Sequence, residues 1–392
     1  MPWQEVTKMS LRKEFVMFAI NDSANHSELC RRFGISRKTG YKWIERFRSS
    51  TMNPFVDQSQ RPKTSPNKTS DRLEQTIVEL RIQHPSWGGR KIRKRLLDLG
   101  HAKVPAASTI SIILKRHGLI NPDQAIKHRS WQRFEAQAPN DLWRMDFKGY
   151  FQSNEGPCHP LTILDDHSRF SLGLQACVNQ KTETVEQWLR NAFTLYGLPK
   201  RILVDNGSPW GDRGGQPYTK LTVWMMRQGI IVTHSRPYHP QTLGKDERFH
   251  RTLKAEVLQY CQNLSMQQCQ RRFDRWKDIY NWQRPHEALN MNVPGSRYTL
   301  SSRSFKQKLP AIEYGPQDQV RKVTDGGIIY FKGKEYRVNK AFVGQPVALR
   351  ATGCDGLLEV VFCNQIIAYL DIRNHKTVTN KVLPMSLNSC NP

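Results

Sequence analysis

Three carboxylates in the middle of the chain have the setting of metal ligands. Asp146 lies in the alternating segment "WRMDFKG", Asp205 ends the apolar run "ILVD", and Glu247 lies in a basic stretch with a helical pattern. A buried carboxylate is costly unless it is paired or binds a metal. A lone aspartate at a strand end is more often a turn former, and a charged helix is often only a solvated face. Taken together, three oxygen ligands favour Mg²⁺ or Mn²⁺ over zinc.

The elements that must position these carboxylates follow from the hydrophobic periodicity. Short strand patterns begin at Leu142, and a turn is expected at Asp166-His167-Ser168 between two further strands. A helix, the strand that ends at Asp205, another helix and another strand follow, and a last helix is expected from about Gln241 to Tyr260. This order predicts a mixed sheet flanked by helices, an α/β core over residues 140–298.

The last of these helices carries acidic and basic groups on one face. Glu247, Arg251 and Lys254 are spaced i, i+4 and i+7, which places them on roughly one side of a helix. The carboxylate is expected to hold a metal while the two cations contact phosphates. Asp246 competes with Glu247 for the first role.

The overall charge indicates a polyanionic partner. The chain has 60 Lys and Arg against 34 Asp and Glu, a net charge of +26, and such an excess is typical of nucleic-acid binding. More than half of it lies in residues 1–140, with 26 basic and 12 acidic residues. The chain has no apolar run long enough to span a membrane and no secretory leader pattern. The eight cysteines form no C-x-x-C pair, so neither disulfides nor structural zinc is expected.

The first 52 residues predict a helix-turn-helix domain. In "HSELCRRFGISRKTGYKWIERF", Gly34 permits the turn and Ser36 is a plausible N-cap. Tyr41, Ile44 and Phe47 are expected to form the apolar face of the second helix. DNA binding in the major groove is favoured over a plain helical hairpin with solvated cations.

A basic, proline-containing linker is expected over residues 53–70, where Arg61-Pro62-Lys63 could track a minor groove or be part of a plain tether. Residues 71–125 predict a second helix-turn-helix domain of three helices. Residues 126–139 are expected to form another linker. Two DNA-binding domains in tandem imply a long recognised site.

The last third predicts an all-β domain. Short alternating strands with glycine turns over residues 319–376 favour a small SH3-like β-barrel. A linker over 299–318 precedes it, and a disordered tail over 377–392 follows it. The barrel could bind DNA or another protomer.

Five segments in order give the chain a resemblance to a known family. "WRMDFKG", "LDDHSRF", "ILVDNGSPW", "RPYHPQTLGKDERFHRTLKAE" and "YNWQRPHEAL" resemble those of insertion-sequence transposases with a retroviral-integrase-type catalytic core. The resemblance covers nearly the whole chain and implies an RNase H-like fold. It also implies that Asp146, Asp205 and Glu247 are the catalytic Asp-Asp-Glu triad, with Glu247 preferred to Asp246 because the family's glutamate precedes "RFHRTLK".

One feature departs from the family. The 41 residues between Asp205 and Glu247 exceed the usual separation, and the glycine-rich stretch over residues 211–219 is the natural place for the extra length. Asp212 within it is a weak competitor for the metal site. Asp165 and Asp166 are expected in an Asx-type turn with Ser168, outside the metal site.

The resemblance implies two Mg²⁺ ions per active site, which Mn²⁺ can replace, with Asp146 bridging both. Water would free a 3′-OH at each element end, and that 3′-OH would join target DNA by transesterification. The expected partners are double-stranded DNA, both terminal inverted repeats and target, and further copies of the chain as a dimer or higher multimer, with no membrane, at the bacterial nucleoid. A catalytically inactive regulator derived from a transposase is the alternative, and an RNase H-type hydrolase is disfavoured.

Candidate DNA contacts are basic or polar residues on the predicted recognition helices, in the linker and around the glutamate. They are Arg37, Lys38, Tyr41, Lys42, Arg61, Lys63, Lys91, Arg93, Lys94, Arg95, Ser108, Thr109, Lys115, Arg116, His239, Gln241, Lys245, Arg248, Arg251 and Lys254.

Overall fold

A computed structural model describes residues 7–49, 53–57, 68–120, 135–211, 217–235, 244–309 and 311–379. These residues divide into two units, one up to Lys68 and one from Thr69 onward. In the described ranges no helix is both long and apolar enough to cross a membrane.

The N-terminal unit is a three-helix bundle that contains the predicted helix-turn-helix. It consists of α1 (Lys8–Ala19), α2 (His26–Arg32) and α3 (Arg37–Ser49). Ser36 accepts a hydrogen bond from the Thr39 N–H at 3.2 Å, and Gly34 has a φ of +64° in the turn. The sequence did not predict α1, which contributes Phe15 to the core.

The expected apolar face of α3 is shifted by part of a turn. Tyr41 is 55% exposed, whereas Trp43 and Ile44 are buried. The Arg12 guanidinium covers the Trp43 ring at 4.2 Å. Tyr41 therefore lies on the outer face of the helix, among the cations expected to meet DNA.

The second helical unit, residues 71–119, consists of α4 (Asp71–Gln83), α5 (Gly89–Asp98) and α6 (Ala107–Arg116). Its core contains Ile77, Ile92 and Ile110. Leu99, which follows the last residue of α5, is exposed.

Gly89 allows α5 and α6 to cross closely. A Cβ at this position would lie 2.4 Å from the Ala107 carbonyl oxygen, whereas a Cβ at Gly88 would meet nothing within 4 Å. We expect Gly89→Ala to destabilise the fold by about 1–3 kcal/mol, the usual cost of overpacking. Thermal unfolding of Gly89→Ala and Gly88→Ala, side by side, tests this. Equal melting temperatures for the two variants would show that α5 and α6 can move apart at this point without loss of stability.

The core is a mixed sheet with an RNase H-like strand order. Its strands are β1 (Leu142–Phe147), β2 (Phe151–Ser153), β3 (Gly156–Asp165), β4 (Ser171–Cys177), β5 (Arg201–Val204) and β6 (Ile231–His234). The order across the sheet is β4-β3-β1-β5-β6, with β2 pairing with the start of β3. β1, β5 and β6 are parallel, and β3 is antiparallel to β1 and β4. The order of elements predicted from the sequence is confirmed, but the short β2 and a last helix, Met266–Trp282, were not predicted.

Helices cover both faces of this sheet. They are α7 (Thr182–Tyr196), α8 (Lys220–Arg227), α9 (Gly244–Glu256) and α10 (Met266–Trp282). Trp143 and Met145 of β1 join the apolar cluster formed with α7 and α8. Because side chains alternate along a strand, Arg144 and Asp146 point to the opposite face, where α9 lies.

The C-terminal region is an antiparallel sheet with a separate hairpin. The sheet contains β7 (Gln319–Lys322), β10 (Pro346–Ala351), β11 (Leu357–Phe362), β12 (Gln365–Asp371) and β13 (Lys376–Thr379), and the hairpin is β8 (Ile328–Phe331) with β9 (Lys334–Arg337). Within the described residues the strand pairings form two separate sheets, and the expected barrel closure is not seen. β13 continues past residue 376, where the domain was expected to end.

This region packs against the edge of the core sheet. The Gln365 side-chain amide donates to the Val232 carbonyl at 3.0 Å and accepts from the Val232 N–H at 3.2 Å. The segment expected to be a linker before it also packs on the core. Arg303 within it donates to the carbonyls of Pro199 at 2.5 Å and Gly229 at 2.8 Å.

Candidate active site

Asp146 and Asp205 lie side by side at the ends of neighbouring parallel strands. In the pairing of β1 with β5, Arg144 is opposite Leu203, so the residues two positions further on, Asp146 and Asp205, are also level. The Asp205 carboxylate accepts a hydrogen bond from the Gly207 N–H at 3.1 Å. The structure thus brings two of the three predicted metal ligands together.

The electrostatics of this pair suit a divalent cation. Burial, together with the neighbouring carboxyls of Asp246 and Asp205, raises the pKa of Asp146 to about 7. Burial also raises the pKa of Asp205. Adjacent carboxyls that resist ionisation in the metal-free protein fit a hard cation that needs oxygen ligands.

The raised pKa of Asp146 predicts a pH-dependent stability in the absence of divalent ions. The unfolded carboxyl ionises near pH 3.8 and the folded one near pH 7, so its ionisation destabilises the fold progressively as the pH rises between these values. A shift of about three units corresponds to at most about 4 kcal/mol.

Asp146→Asn removes this cost. Because the Asp146 side chain is 30% exposed, solvent screening reduces the expected gain in the free energy of unfolding to about 1–2 kcal/mol above pH 7. The gain is expected to vanish by pH 4. Urea unfolding in EDTA at pH 4, 6 and 8 measures it, and a difference independent of pH would contradict the assigned pKa.

Glu247 lies on α9 with the predicted face intact. Glu247, Arg251 and Lys254 are all exposed, so the expected acidic and basic face is available to a ligand. Residues 236–243, which precede the helix, lie outside the described ranges. Among the residues that are described, no three His, Cys, Asp or Glu side chains are grouped to hold a metal ion. The assignment of Glu247 therefore stays a prediction.

Asp246, the competing acid, is buried and paired with Arg144. An Nη of Arg144 donates to the Asp246 carboxylate at 3.2 Å, and its Nε donates to Asp166 at 2.5 Å. Lys245 donates to the same Asp166 carboxylate at 2.5 Å. Two cations and two carboxylates thus form a network beneath the start of α9, which we call the Arg144 network. The contact with Arg144 holds the Asp246 carboxylate inside the protein.

Little in the sequence predicted this network. Burial alone would raise the pKa of Asp166, but Arg144 and Lys245 hold it below its usual value. Asp166 lies in the expected turn, but its fully buried carboxylate binds Arg144 and Lys245. Asp165 does form the expected turn, accepting from the Ser168 N–H at 2.8 Å and from its hydroxyl at 2.5 Å.

His250 links α9 to β3, next to Asp146. The ring is buried, its Nε2 lies 2.9 Å from the Thr162 hydroxyl, and its Nδ1 lies 3.9 Å from the Asp146 carboxyl. Burial lowers the pKa of His250 to about 4, so the ring is neutral at physiological pH. The structure therefore places His250 in the core.

Several candidate DNA contacts lie on open surfaces. These exposed residues are Arg37, Lys38, Tyr41, Lys42, Arg93, Ser108, Lys115, Arg248, Arg251 and Lys254. Thr109 is half-buried. Arg61, Lys63, His239 and Gln241, like Asp212, lie outside the described residues.

Other candidates are engaged within the protein. Lys94 pairs with Asp98, and Arg116 pairs with Glu74. Lys245 directs its ammonium at Asp166 and its side chain is 11% exposed. These residues are poorly placed for phosphates in this conformation because their partners already neutralise them.

The face of α5 expected to meet DNA instead packs against the core. Arg95 donates to the Gln283 side chain at 3.2 Å. Burial lowers the pKa of Lys91 to about 8, with Arg284 contributing. Glu256, at the end of α9, accepts from Ser86 and from Arg284. The second helical unit is therefore joined to the core through the side of α5 that the sequence assigned to DNA.

Family models match in the order expected of the three regions. A homeodomain-like domain matches residues 39–114 and a helix-turn-helix domain matches residues 11–63. Two integrase core domain models match residues 136–240 and 228–294. The IS481 family transposase C-terminal domain matches residues 318–378.

Similar proteins come from insertion elements and retroviruses. An insertion element IS476 protein of 39.2 kDa from Xanthomonas euvesicatoria is 24% identical over 258 residues, covering 64% of this chain and 71% of that protein. An insertion element IS407 protein of 31.7 kDa from Burkholderia multivorans is 26% identical over 157 residues, covering 40% of this chain and 54% of that protein. The Pro-Pol polyprotein of feline foamy virus is 28% identical over 116 residues, which cover 30% of this chain and 9% of the polyprotein.

Solved structures of retroviral integrases are also similar. The HTLV-2 integrase catalytic core domain in complex with magnesium has a TM-score of 0.34 and 14% identity, covering 42% of this chain and all of that one. A chain of the simian T-cell lymphotropic virus intasome has a TM-score of 0.37 and 15% identity, covering 74% of this chain and 99% of its own length. The matched domains and their order are similar to those of insertion-sequence transposases that carry an integrase core: helix-turn-helix domains match before the core, and an IS481 family transposase C-terminal domain matches after it.

Proposed function

We propose that this protein cuts the ends of its own insertion sequence and joins them to target DNA. One observation supports this most strongly: Asp146 and Asp205 end neighbouring parallel strands of an integrase core, with raised pKa values. Hydrolysis would free a 3′-OH at each element end, and that 3′-OH would then displace a phosphodiester oxygen of the target by transesterification.

Asp146, Asp205 and Glu247 would hold two Mg²⁺ or Mn²⁺ ions, which supply Lewis-acid activation of the attacking oxygen and stabilise the leaving oxygen when bound. Asp146 must lose its proton for this role. Arg251 and Lys254, exposed on the same helix as Glu247, would contact the phosphates beside the cut. These cations would keep the DNA end in line with the carboxylates.

The helix-turn-helix units would recognise the terminal inverted repeats. The exposed Arg37, Lys38 and Lys42 of α3 suit the major groove and its flanking phosphates. Joining two ends in one event requires at least two catalytic cores, so the active form would be a multimer. The binding of both ends is expected to weaken steeply with salt, because phosphate contacts release counterions.

The test is nicking of a labelled duplex taken from the DNA that flanks the gene, in Mg²⁺. We expect Glu247→Gln to lower nicking by about 1000-fold, equivalent to about 4 kcal/mol of lost transition-state stabilisation, with an unchanged melting temperature and unchanged end binding. Asp246→Asn is the matched comparison. It should lower nicking less than Glu247→Gln does, because the Asp246 carboxylate is buried against Arg144.

If Glu247→Gln nicked DNA at the wild-type rate, Glu247 would not be the third catalytic carboxylate. Binding of the ends by the wild type, with no nicking in Mg²⁺ or Mn²⁺, would instead favour a DNA-binding regulator derived from a transposase.

A further inference from the structure

We propose that Arg144 and Thr162 are positioning residues that hold α9 to the sheet at two points and so fix the direction of Glu247 relative to Asp146. This inference rests on the proposed function for the role of Glu247. The two attachments themselves are contacts between described residues.

The first attachment lies one residue before Glu247. Arg144 is 3% exposed, and its guanidinium bridges Asp246 of α9 and the buried Asp166. Lys245, the preceding residue of the helix, also binds Asp166. The first turn of α9 is therefore anchored by charged groups that have little access to water.

The second attachment lies one turn further along the helix. The Thr162 hydroxyl donates to the Asp146 main-chain carbonyl at 2.9 Å, so its single proton is used. The Thr162 oxygen must then accept from Nε2–H of His250 at 2.9 Å. This fixes the His250 tautomer and leaves an unprotonated Nδ1 facing the Asp146 carboxyl.

The spacing of the two attachments matches between strand and helix. Arg144 and Asp146 are two residues apart on β1, about 6.6 Å at the usual rise of a strand, and Thr162 is paired with Asp146 across the sheet. Asp246 and His250 are four residues apart on α9, about 6 Å along a helix axis. Both attachments can therefore form together in only one register and one rotation of α9. Glu247 lies between them, so its direction is set as well.

A merely structural role for these contacts makes a different prediction. Polar contacts that only stabilise the core would change the melting temperature without changing how the site uses metal. A positioning role requires that loosening α9 raise the metal concentration needed for nicking, because the third carboxylate is then less well placed. The metal concentration needed for nicking should depend on whether residue 162 has a hydroxyl and not on the size of its side chain.

Thr162→Val and Thr162→Ser separate these cases, since valine keeps the shape and serine keeps the hydroxyl. We expect Thr162→Val to raise the Mg²⁺ concentration for half-maximal nicking by about tenfold, the usual worth of a lost hydrogen bond. Thr162→Ser should stay within about twofold of the wild type. Both should bind the element ends as the wild type does.

Hydrogen exchange of the metal-free protein provides a readout independent of catalysis. The backbone amides of residues 247–253 should exchange about tenfold faster in Thr162→Val and at the wild-type rate in Thr162→Ser. If Thr162→Val does not fold, His250→Leu removes the same contact from the helix side, and His250→Gln is its donor-preserving control.

An unchanged exchange rate in Thr162→Val overturns the proposal, and so does faster exchange with an unchanged metal requirement. Absence of nicking in the wild type would refute the proposed function and with it the role assigned to Glu247. The exchange data would still decide whether the two contacts hold α9.

Discussion

Replacing Asp146 with asparagine is expected to lower the rate of metal-dependent joining by at least about 1000-fold, a loss of about 4 kcal/mol in transition-state stabilisation. The carboxylate is the proposed ligand shared by both metal ions, and a neutral amide cannot replace its charge. Binding of the element ends should persist, since the helix-turn-helix units lie outside the core. The variant should also be more stable than the wild type above pH 7 in the absence of metal, so lost activity could not be attributed to unfolding.

Asp355→Asn is the matched control because its carboxylate is 91% exposed and pairs only with Arg373 at the surface in the described structure. It should join DNA at the wild-type rate. If Asp146→Asn retained more than about a tenth of the activity, Asp146 would not be the shared ligand.

The largest stability change is expected for Arg144→Ala. Removal of one partner from a buried ion pair leaves an uncompensated charge and typically costs about 3–5 kcal/mol. Here Asp166 and Asp246 would both lose their contact with the guanidinium. Urea unfolding at pH 7 measures the loss.

Arg373→Ala, which breaks an exposed pair, should change stability by less than about 1 kcal/mol. Asp166 has a lowered pKa, so its stabilising contribution is complete above the usual aspartate pKa and is lost as the pH falls through the lowered value. The cost of Arg144→Ala should therefore shrink below about pH 4. A cost below 1 kcal/mol at pH 7 would mean that water or Lys245 compensates for the guanidinium.

Local patterns account for the parts of the fold that the sequence predicted. Alternation in β1 and the termination of β5 place Asp146 and Asp205 correctly because both features depend on a few neighbouring residues. The helix-turn-helix of the N-terminal unit was equally local, since Gly34 and Ser36 mark its turn.

The parts that the sequence missed depend on contacts between distant residues. Arg144 and Asp246 are 102 positions apart in the sequence, and no local pattern in either segment predicts their contact. Likewise, the packing of α5 against the core uses Arg95 and Gln283, 188 positions apart, so its cations were assigned to DNA. Strand patterns in the last third gave the strands but not their pairing, and a closed barrel was therefore expected where a sheet and a hairpin are found.

Joining of a pre-cut element end to plasmid DNA distinguishes strand transfer by this protein from DNA binding alone. The end would be supplied once with a 3′-OH and once with a 3′-deoxy terminus, in Mg²⁺, to the wild type and to Glu247→Gln. We expect covalent joining only for the wild type with the 3′-OH end. Joining of the 3′-deoxy end, or equal joining by Glu247→Gln, would contradict it.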